Sequence, residues 1–265
     1  MSISGLNIGG LCPRIPVIQG GMGVGVSLSG LAGAVAAAGG VGVISTAQIG
    51  YREPDFEKDP IACNLRAIAD EIAKARAIAN GGIIGVNIMV ATKRYEDYVK
   101  AAVDAGVDLI ISGAGLPMTL PAISGSAKIA PIVSGRKSLH VIARYWQKKY
   151  NRKPDLVVIE GPMAGGHLGF QKEDIEKYTV HGTKDFDEEI RSTIALADEM
   201  EVPVVVAGGV YERSDMDHYL AMGAKGVQIA TRFVTTKECD ASDAYKQAYI
   251  DARKEDIVLV DSPVG

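Results

Sequence analysis

The stretch Leu156-Val157-Val158-Ile159-Glu160-Gly161-Pro162-Met163-Ala164-Gly165-Gly166-His167-Leu168-Gly169 joins an aliphatic run to a loop nearly free of side chains. The run is apolar without alternation, as in a strand covered on both faces. A flat ligand can lie against such a loop, because glycine permits close approach and unusual dihedrals. An imidazole in general titrates near neutral pH and is the commonest general acid–base group. A histidine in a tight surface loop is commonly incidental. Here it closes a Gly-Gly pair directly after a buried strand, which makes His167 the catalytic candidate.

Similar runs recur on both sides of this one. The other predicted strands are Pro16–Gln19, Val41–Ser45, Ile83–Met89, Leu109–Ser112, Lys128–Val133, Val204–Ala207 and Gly226–Ile229, with Leu156–Ile159 as the sixth in order. Helical patterns lie between them, over Leu28–Ala38, Ile61–Asn80, Tyr95–Ala105, Pro117–Ile123, Leu139–Tyr150, Asp185–Met200 and Arg213–Met222, with a last helix near Asp243–Lys254. Glycine stops several of them, as at Ala105-Gly106 and Met222-Gly223. Eight strand–helix units predict an α/β protein of the (β/α)8 TIM-barrel class, one domain over residues 1–265. A doubly wound open sheet is the alternative, but it normally uses fewer strands. The longest interruption, residues 161–183, carries the polar segment Gln171–Tyr178 and is expected to be a lid or substrate loop at the active face.

Composition narrows the function. The 265 residues are 47% apolar, which suffices for a large core, and the net charge of −4 gives no footprint for nucleic acid. Cys12, Cys63 and Cys239 are odd in number and far apart, which fits neither a disulfide framework nor a zinc site and suits a reducing cytoplasm. No signal-peptide pattern and no membrane-spanning apolar stretch is visible. The expected location is cytoplasmic.

The loop after the first strand, Gly20-Gly21-Met22-Gly23-Val24-Gly25, is glycine-rich but contains no GxGxxG, and the chain has no P-loop. At the C-terminal end of a barrel strand, Gly21 and Met22 are expected to face a ligand. The seventh strand ends in Ala207-Gly208-Gly209 and the eighth in Gln228-Ile229-Ala230-Thr231-Arg232. Barrels often hold phosphate on backbone N–H groups at these two loops, and small residues let the amides reach the anion. Arg232 could add charge there or equally form an ion pair outside the barrel. Asn87 stands at the end of the third strand among apolar neighbours, as a core hydrogen-bonder or a reader of a heterocycle edge, and the strand-end position favours the ligand. Ser112-Gly113-Ala114-Gly115 removes side chains from the mouth, and Ser134 is a weaker candidate. His140, His181 and His218 read as ordinary, and no pair of residues has metal-ligand spacing such as HExxH.

Taken together, Pro16–Met22, Ala38–Ile44, Gly85–Met89, Ser112–Gly115, Ala164–His167 and Gly226–Phe233 resemble the nitronate monooxygenases, formerly called 2-nitropropane dioxygenases. The FMN-dependent enoyl-acyl-carrier-protein reductase of type II is a close relative of that family. The motifs run in order along almost the whole chain. The resemblance implies an FMN-binding TIM barrel whose catalytic histidine is His167. It places flavin contacts at Gly21, Met22 and Asn87, and phosphate contacts at Gly208, Gly209, Ala230 and Thr231. Gly113, Ala164, Gly165, Gly166 and Gln228, on the same motifs, complete the cofactor set. Two departures stand out. Met163 occupies a position where many relatives carry Glu, and the chain stops at Ser262-Pro263-Val264-Gly265 where relatives continue.

The resemblance implies an FMN-dependent oxidase of alkyl nitronates or nitroalkanes, with oxygen as co-substrate. A reductase is the alternative, in which NADH reduces FMN and the flavin reduces an enoyl thioester or a quinone. The third possibility is a flavin-binding protein without turnover, against which the histidine weighs. A small-molecule substrate and oxygen are the expected partners, with NADH on the second reading; a homodimer is allowed, and neither nucleic acid nor membrane is expected.

Overall fold

The computed structural model describes residues 5–171, 173–175, 178 and 184–260. Eight parallel strands close into a barrel in sequence order. They are β1 (Val17–Gln19), β2 (Val41–Ser45), β3 (Ile83–Met89), β4 (Leu109–Gly113), β5 (Lys128–Val133), β6 (Val157–Glu160), β7 (Val204–Ala207) and β8 (Gly226–Ile229). The barrel expected from the sequence is therefore present, and each strand lies within one residue of its predicted bounds. Closure is made by β1 against β8, where Ile18 stands beside Gln228.

Alternate residues along each strand divide two cores. Ile18, Val41, Val43, Leu109, Ile111, Ala130, Leu156, Val158, Val205 and Ala207 fill the inside. Leu6 and Ile8 pack into the same cluster beside the strand-starting residues and close the N-terminal end of the barrel. The intervening residues, among them Ile44, Val86, Ile110, Val157 and Val206, face the helical ring. Both sets are apolar, which is why the runs show no alternation.

The ring comprises α1 (Ser29–Ala38), α2 (Pro60–Ala79), α3 (Tyr95–Asp104), α4 (Leu120–Ile123), α5 (Arg136–Tyr150), α6 (Lys184–Glu199), α7 (Arg213–Ala221), the short α8 (Thr231–Val234) and α9 (Asp243–Asp251). Helix α1 lies so close on β2 that a β-carbon on Gly42 would strike the carbonyl oxygen of Ala32. The N-terminus of α1 is capped from the far end of the chain. Asp240 accepts hydrogen bonds from the N–H groups of Leu28 (2.8 Å), Gly30 (3.0 Å) and Leu31 (3.1 Å), and Glu71 from that of Ser29 (2.9 Å). Such acceptors satisfy the orphan donors of a first turn.

Two helix starts depart from the sequence expectation, and the last helix, expected near Asp243–Lys254, ends at Asp251, where Ala252 turns extended. The fourth was expected from Pro117 but begins at Leu120; the Pro117 carbonyl instead closes a turn with the Leu120 N–H (3.3 Å) and also accepts from Trp146 Nε1 (3.0 Å). The fifth was expected from Leu139 but begins at Arg136, whose N–H donates to Glu189 Oε1 of α6 (2.7 Å). Among the described residues no helix is long and apolar enough to cross a membrane.

Candidate active site

The functional candidates gather at the C-terminal ends of the strands. Gln19, fully buried, fixes the start of the first loop. Its Nε2 donates to the Gly20 carbonyl (2.5 Å) and its Oε1 accepts from the Val43 N–H of β2 (3.0 Å). The loop then crosses the barrel mouth against two strands. A β-carbon on Gly21 would collide with that of Asn87, and one on Gly20 would lie 3.3 Å from Ala230 and 3.4 Å from Gln228 Cγ. Asn87 occupies the inward set of β3, two residues before its end, and its carbonyl accepts from the Thr46 N–H (3.1 Å) and Oγ1 (3.0 Å). Gly21, Asn87, Gln228 and Ala230 thus form one group of neighbours. Met22 is turned otherwise. Its N–H donates to Ser27 Oγ (2.8 Å), and its side chain packs on Val26, Val234 and Cys239.

The loops after β6, β7 and β8 make a second group. Gly208 and Gly209 both have positive φ, 91° and 78°, which glycine adopts without strain. A β-carbon on Gly208 would lie 2.9–3.0 Å from backbone atoms of Gly161 and Ala164, and one on Gly209 would lie 3.0 Å from Met163 Cβ. The seventh loop therefore touches the sixth with backbone alone. Among the described residues, the N–H groups of Gly208, Gly209, Ala230 and Thr231 have no hydrogen-bond acceptor. Four unused donors on small residues suit an anion. Arg232 is engaged elsewhere: its guanidinium donates to the Tyr211 carbonyl (2.9 Å) and lies 4.9 Å from the Tyr211 ring centroid. This arginine links the seventh and eighth loops through a cation–π contact, not through an outer ion pair.

His167 is exposed on the sixth loop. β-Carbons on Gly165 and Gly166 would meet nothing within 4 Å, so the loop before the histidine stands clear of neighbouring side chains. Further on, Phe170, Tyr178 and Phe186 form three edge-to-face contacts with centroids 5.4–6.0 Å apart, which anchor the loop to α6. The interruption at residues 161–183, expected to be a lid or substrate loop, lies partly outside the described residues. Gly113 ends β4 in the inward series of Leu109 and Ile111, and a β-carbon there would meet Ile132 at 2.9 Å. Ser112 belongs to the core, donating to the Ile88 carbonyl (2.7 Å) beside Tyr95. Ser134 sits opposite Gly169, whose β-carbon would lie 3.6 Å from it. His140 is exposed on α5, His218 is bound to Asp187 (3.0 Å) on the outer layer, and His181 lies outside the described residues.

Sequence reasoning missed two polar residues. One is Gln19, whose amide in an apolar strand was a legible signal. The other is Glu160, the last residue of β6, which belongs to the inward series of Leu156 and Val158. Burial alone pushes its carboxyl up to about 7. On β8, Gln228 Oε1 is buried without a hydrogen-bond partner.

Comparison with known proteins bears on this arrangement. A family profile described as nitronate monooxygenase matches residues 9–265. A probable nitronate monooxygenase of Staphylococcus saprophyticus is 26% identical over 290 residues, covering 100% of this chain and 78% of that protein. Its counterpart in Staphylococcus haemolyticus is 34% identical over 108 residues, 40% of this chain and 29% of that protein. Among solved structures, FabK from Thermotoga maritima superposes with a TM-score of 0.68 at 25% identity, covering 91% of this chain and 65% of that one. A nitroalkane oxidase from Streptomyces ansochromogenes shares the fold, with a TM-score of 0.70 at 20% identity over 89% of this chain and 70% of that one.

Proposed function

Since the chain belongs to the nitronate monooxygenase family, we propose that this oxidoreductase binds FMN and oxidises alkyl nitronates or nitroalkanes with molecular oxygen. One observation carries the cofactor assignment. The loops after β7 and β8 present four N–H groups that have no acceptor among the described residues, and the seventh touches the His167 loop through Gly208 and Ala164. Gly208, Gly209, Ala230 and Thr231 would hold the terminal phosphate of FMN. No dinucleotide fingerprint is available for the adenosine half of FAD. Gly21 and Gly113 would leave room for the ring system, with Asn87 and Gln228 at its polar edges.

When bound, FMN supplies the electron acceptor for the substrate. His167, as a neutral imidazole, takes the α-proton of a nitroalkane and so generates the nitronate anion. A nitronate supplied as the anion has already lost that proton and needs the histidine only for orientation. Met163 contributes no polar group at the position where relatives often carry Glu.

Two measurements on the purified protein test this reading. Flavin released by heat is expected to run as FMN on chromatography. In anaerobic stopped flow, a nitronate is expected to bleach the flavin absorbance, whereas NADH and NADPH leave it unchanged. Rapid bleaching by NADH with none by the nitronate would replace the oxidase by a reductase of enoyl thioesters or quinones.

A further inference from the structure

Glu160 ends β6 on the inward face, and the strand registers place it on one rung with two neighbours. It pairs with Ala207 of β7, and Ala207 pairs with Gln228 of β8. Only a methyl group stands between the two long polar side chains. With strands spaced about 4.8 Å apart, their α-carbons are roughly 10 Å from each other. On the other side Val133 pairs with Ile159, so Ser134 follows beside Glu160. Gln228 Oε1 is a buried acceptor without a partner, and among the described residues the Glu160 carboxyl has neither a hydrogen bond nor an ion pair. A buried polar atom such as Gln228 Oε1 is rarely left so in a folded protein. With the unpartnered, half-buried Glu160 carboxyl on the same rung, beside the glycines of the first loop and at the mouth of the barrel, it describes a notch that a ligand completes.

We infer that Glu160 and Gln228 form a paired hydrogen-bonding station for the flavin, Glu160 donating its carboxyl proton to a cofactor acceptor and Gln228 Oε1 accepting from a cofactor donor. This inference rests on the FMN reading above and adds to it a proton requirement. Glu160 must be protonated to donate. Its surroundings favour that form: Ile132 of β5 and Ser134 just after it, Ala207 of β7 and Gly209 in the loop after it, and Gln228 of β8 are none of them ionisable. On α6, Asp187 and Glu189 are bonded to His218 and to the Arg136 N–H, and His167 lies on the sixth loop itself. Burial is the sole cause of the rise to about 7. The sign follows. Above that value free Glu160 ionises, so flavin binding takes up a proton and weakens as pH rises.

The test is the affinity for FMN, read from quenching of flavin fluorescence between pH 6 and pH 9. The FMN phosphate has its second ionisation near pH 6, so above pH 7.5 its charge is nearly constant. Wild-type affinity is expected to fall roughly fivefold to tenfold from pH 7.5 to 8.5, as for loss of one required proton. Glu160→Gln keeps a donor without an ionisation, so its affinity should stay flat over that range. Glu160→Leu should bind at least about tenfold more weakly than Glu160→Gln at pH 8, as expected for loss of a buried hydrogen bond. A flat wild-type profile, measurable without any variant, overturns the inference while leaving FMN binding intact. No binding of FMN at any pH overturns both this inference and the cofactor reading beneath it.

Discussion

His167 stands exposed behind two glycines whose flanks are open, so on the proposed function no packed side chain has to move for a substrate to meet it. His167→Asn is expected to retain fold and flavin but to slow turnover of neutral nitroalkanes by about 10²–10⁴-fold, the usual range for a lost general base. Turnover of the preformed nitronate should suffer less; equal losses on the two substrates would make the histidine a binding residue. Gly209→Asp places a carboxylate among the free N–H groups at a φ of 78° and against Met163, and retained flavin on gel filtration should disappear. Glu160 affects stability as well. Its folded-state pKa, about 7, exceeds the ordinary value near 4.5, so between those limits the folded protein binds the extra proton and stability falls as pH rises. Cofactor-free Glu160→Gln should therefore be the more stable protein at pH 8, by about 3 kcal/mol, and no more stable at pH 4; urea denaturation at both pH values checks this. His167 and the glycine loops were legible because small residues crowd there in the sequence. Glu160 was not, since its inward direction depends on parity counted from Leu156 and Val158, and Gln228 reads as unpartnered only once its rung is known.

At the level of elements, strands were easier to read than helix starts. A strand buried on two faces announces itself as an apolar run, and β2, β3, β5, β7 and β8 fall where those runs lie. Helix starts involve groups remote in sequence: Trp146 donates to the Pro117 carbonyl, and Glu189 takes the Arg136 N–H. The short helix Thr231–Val234 has too few residues to show a period. Helix α1 illustrates the same dependence, since Asp240 holds three of its first N–H groups, including that of buried Leu28. Asp240→Ala should cost about 2 kcal/mol in equilibrium denaturation, within the range for a lost cap that leaves a buried donor unsatisfied. A loss under about 0.5 kcal/mol would mean that water replaces the carboxylate. Because α1 follows directly on the first loop, the variant should also bind FMN more weakly.

For the molecule as a whole, the division into two apolar cores leaves polar chemistry a place at the open end of the barrel. The N-terminal end is closed by Leu6 and Ile8, and the interior is packed with aliphatic side chains up to the level of Ala207. Glu160 and Gln228 stand on the rung of Ala207 itself, and Gly21, Asn87 and the glycines of the seventh loop stand with them at the mouth. The architecture was thus open to sequence reading, and so was the gathering of the candidate residues at one end of the barrel, while the pairings between side chains depended on barrel registers. The Asp240 cap has a consequence for how the protein is made. It joins residues 210 and 212 positions apart in the chain, and β1 must likewise await β8. On the ribosome the first strand and helix emerge long before either partner exists, so the opening segment stays unlatched until the last barrel strand has been synthesised. Contacts of such sequence separation slow folding and lengthen the exposure of apolar strand edges, which makes the nascent N-terminal half the part of this protein most in need of a chaperone.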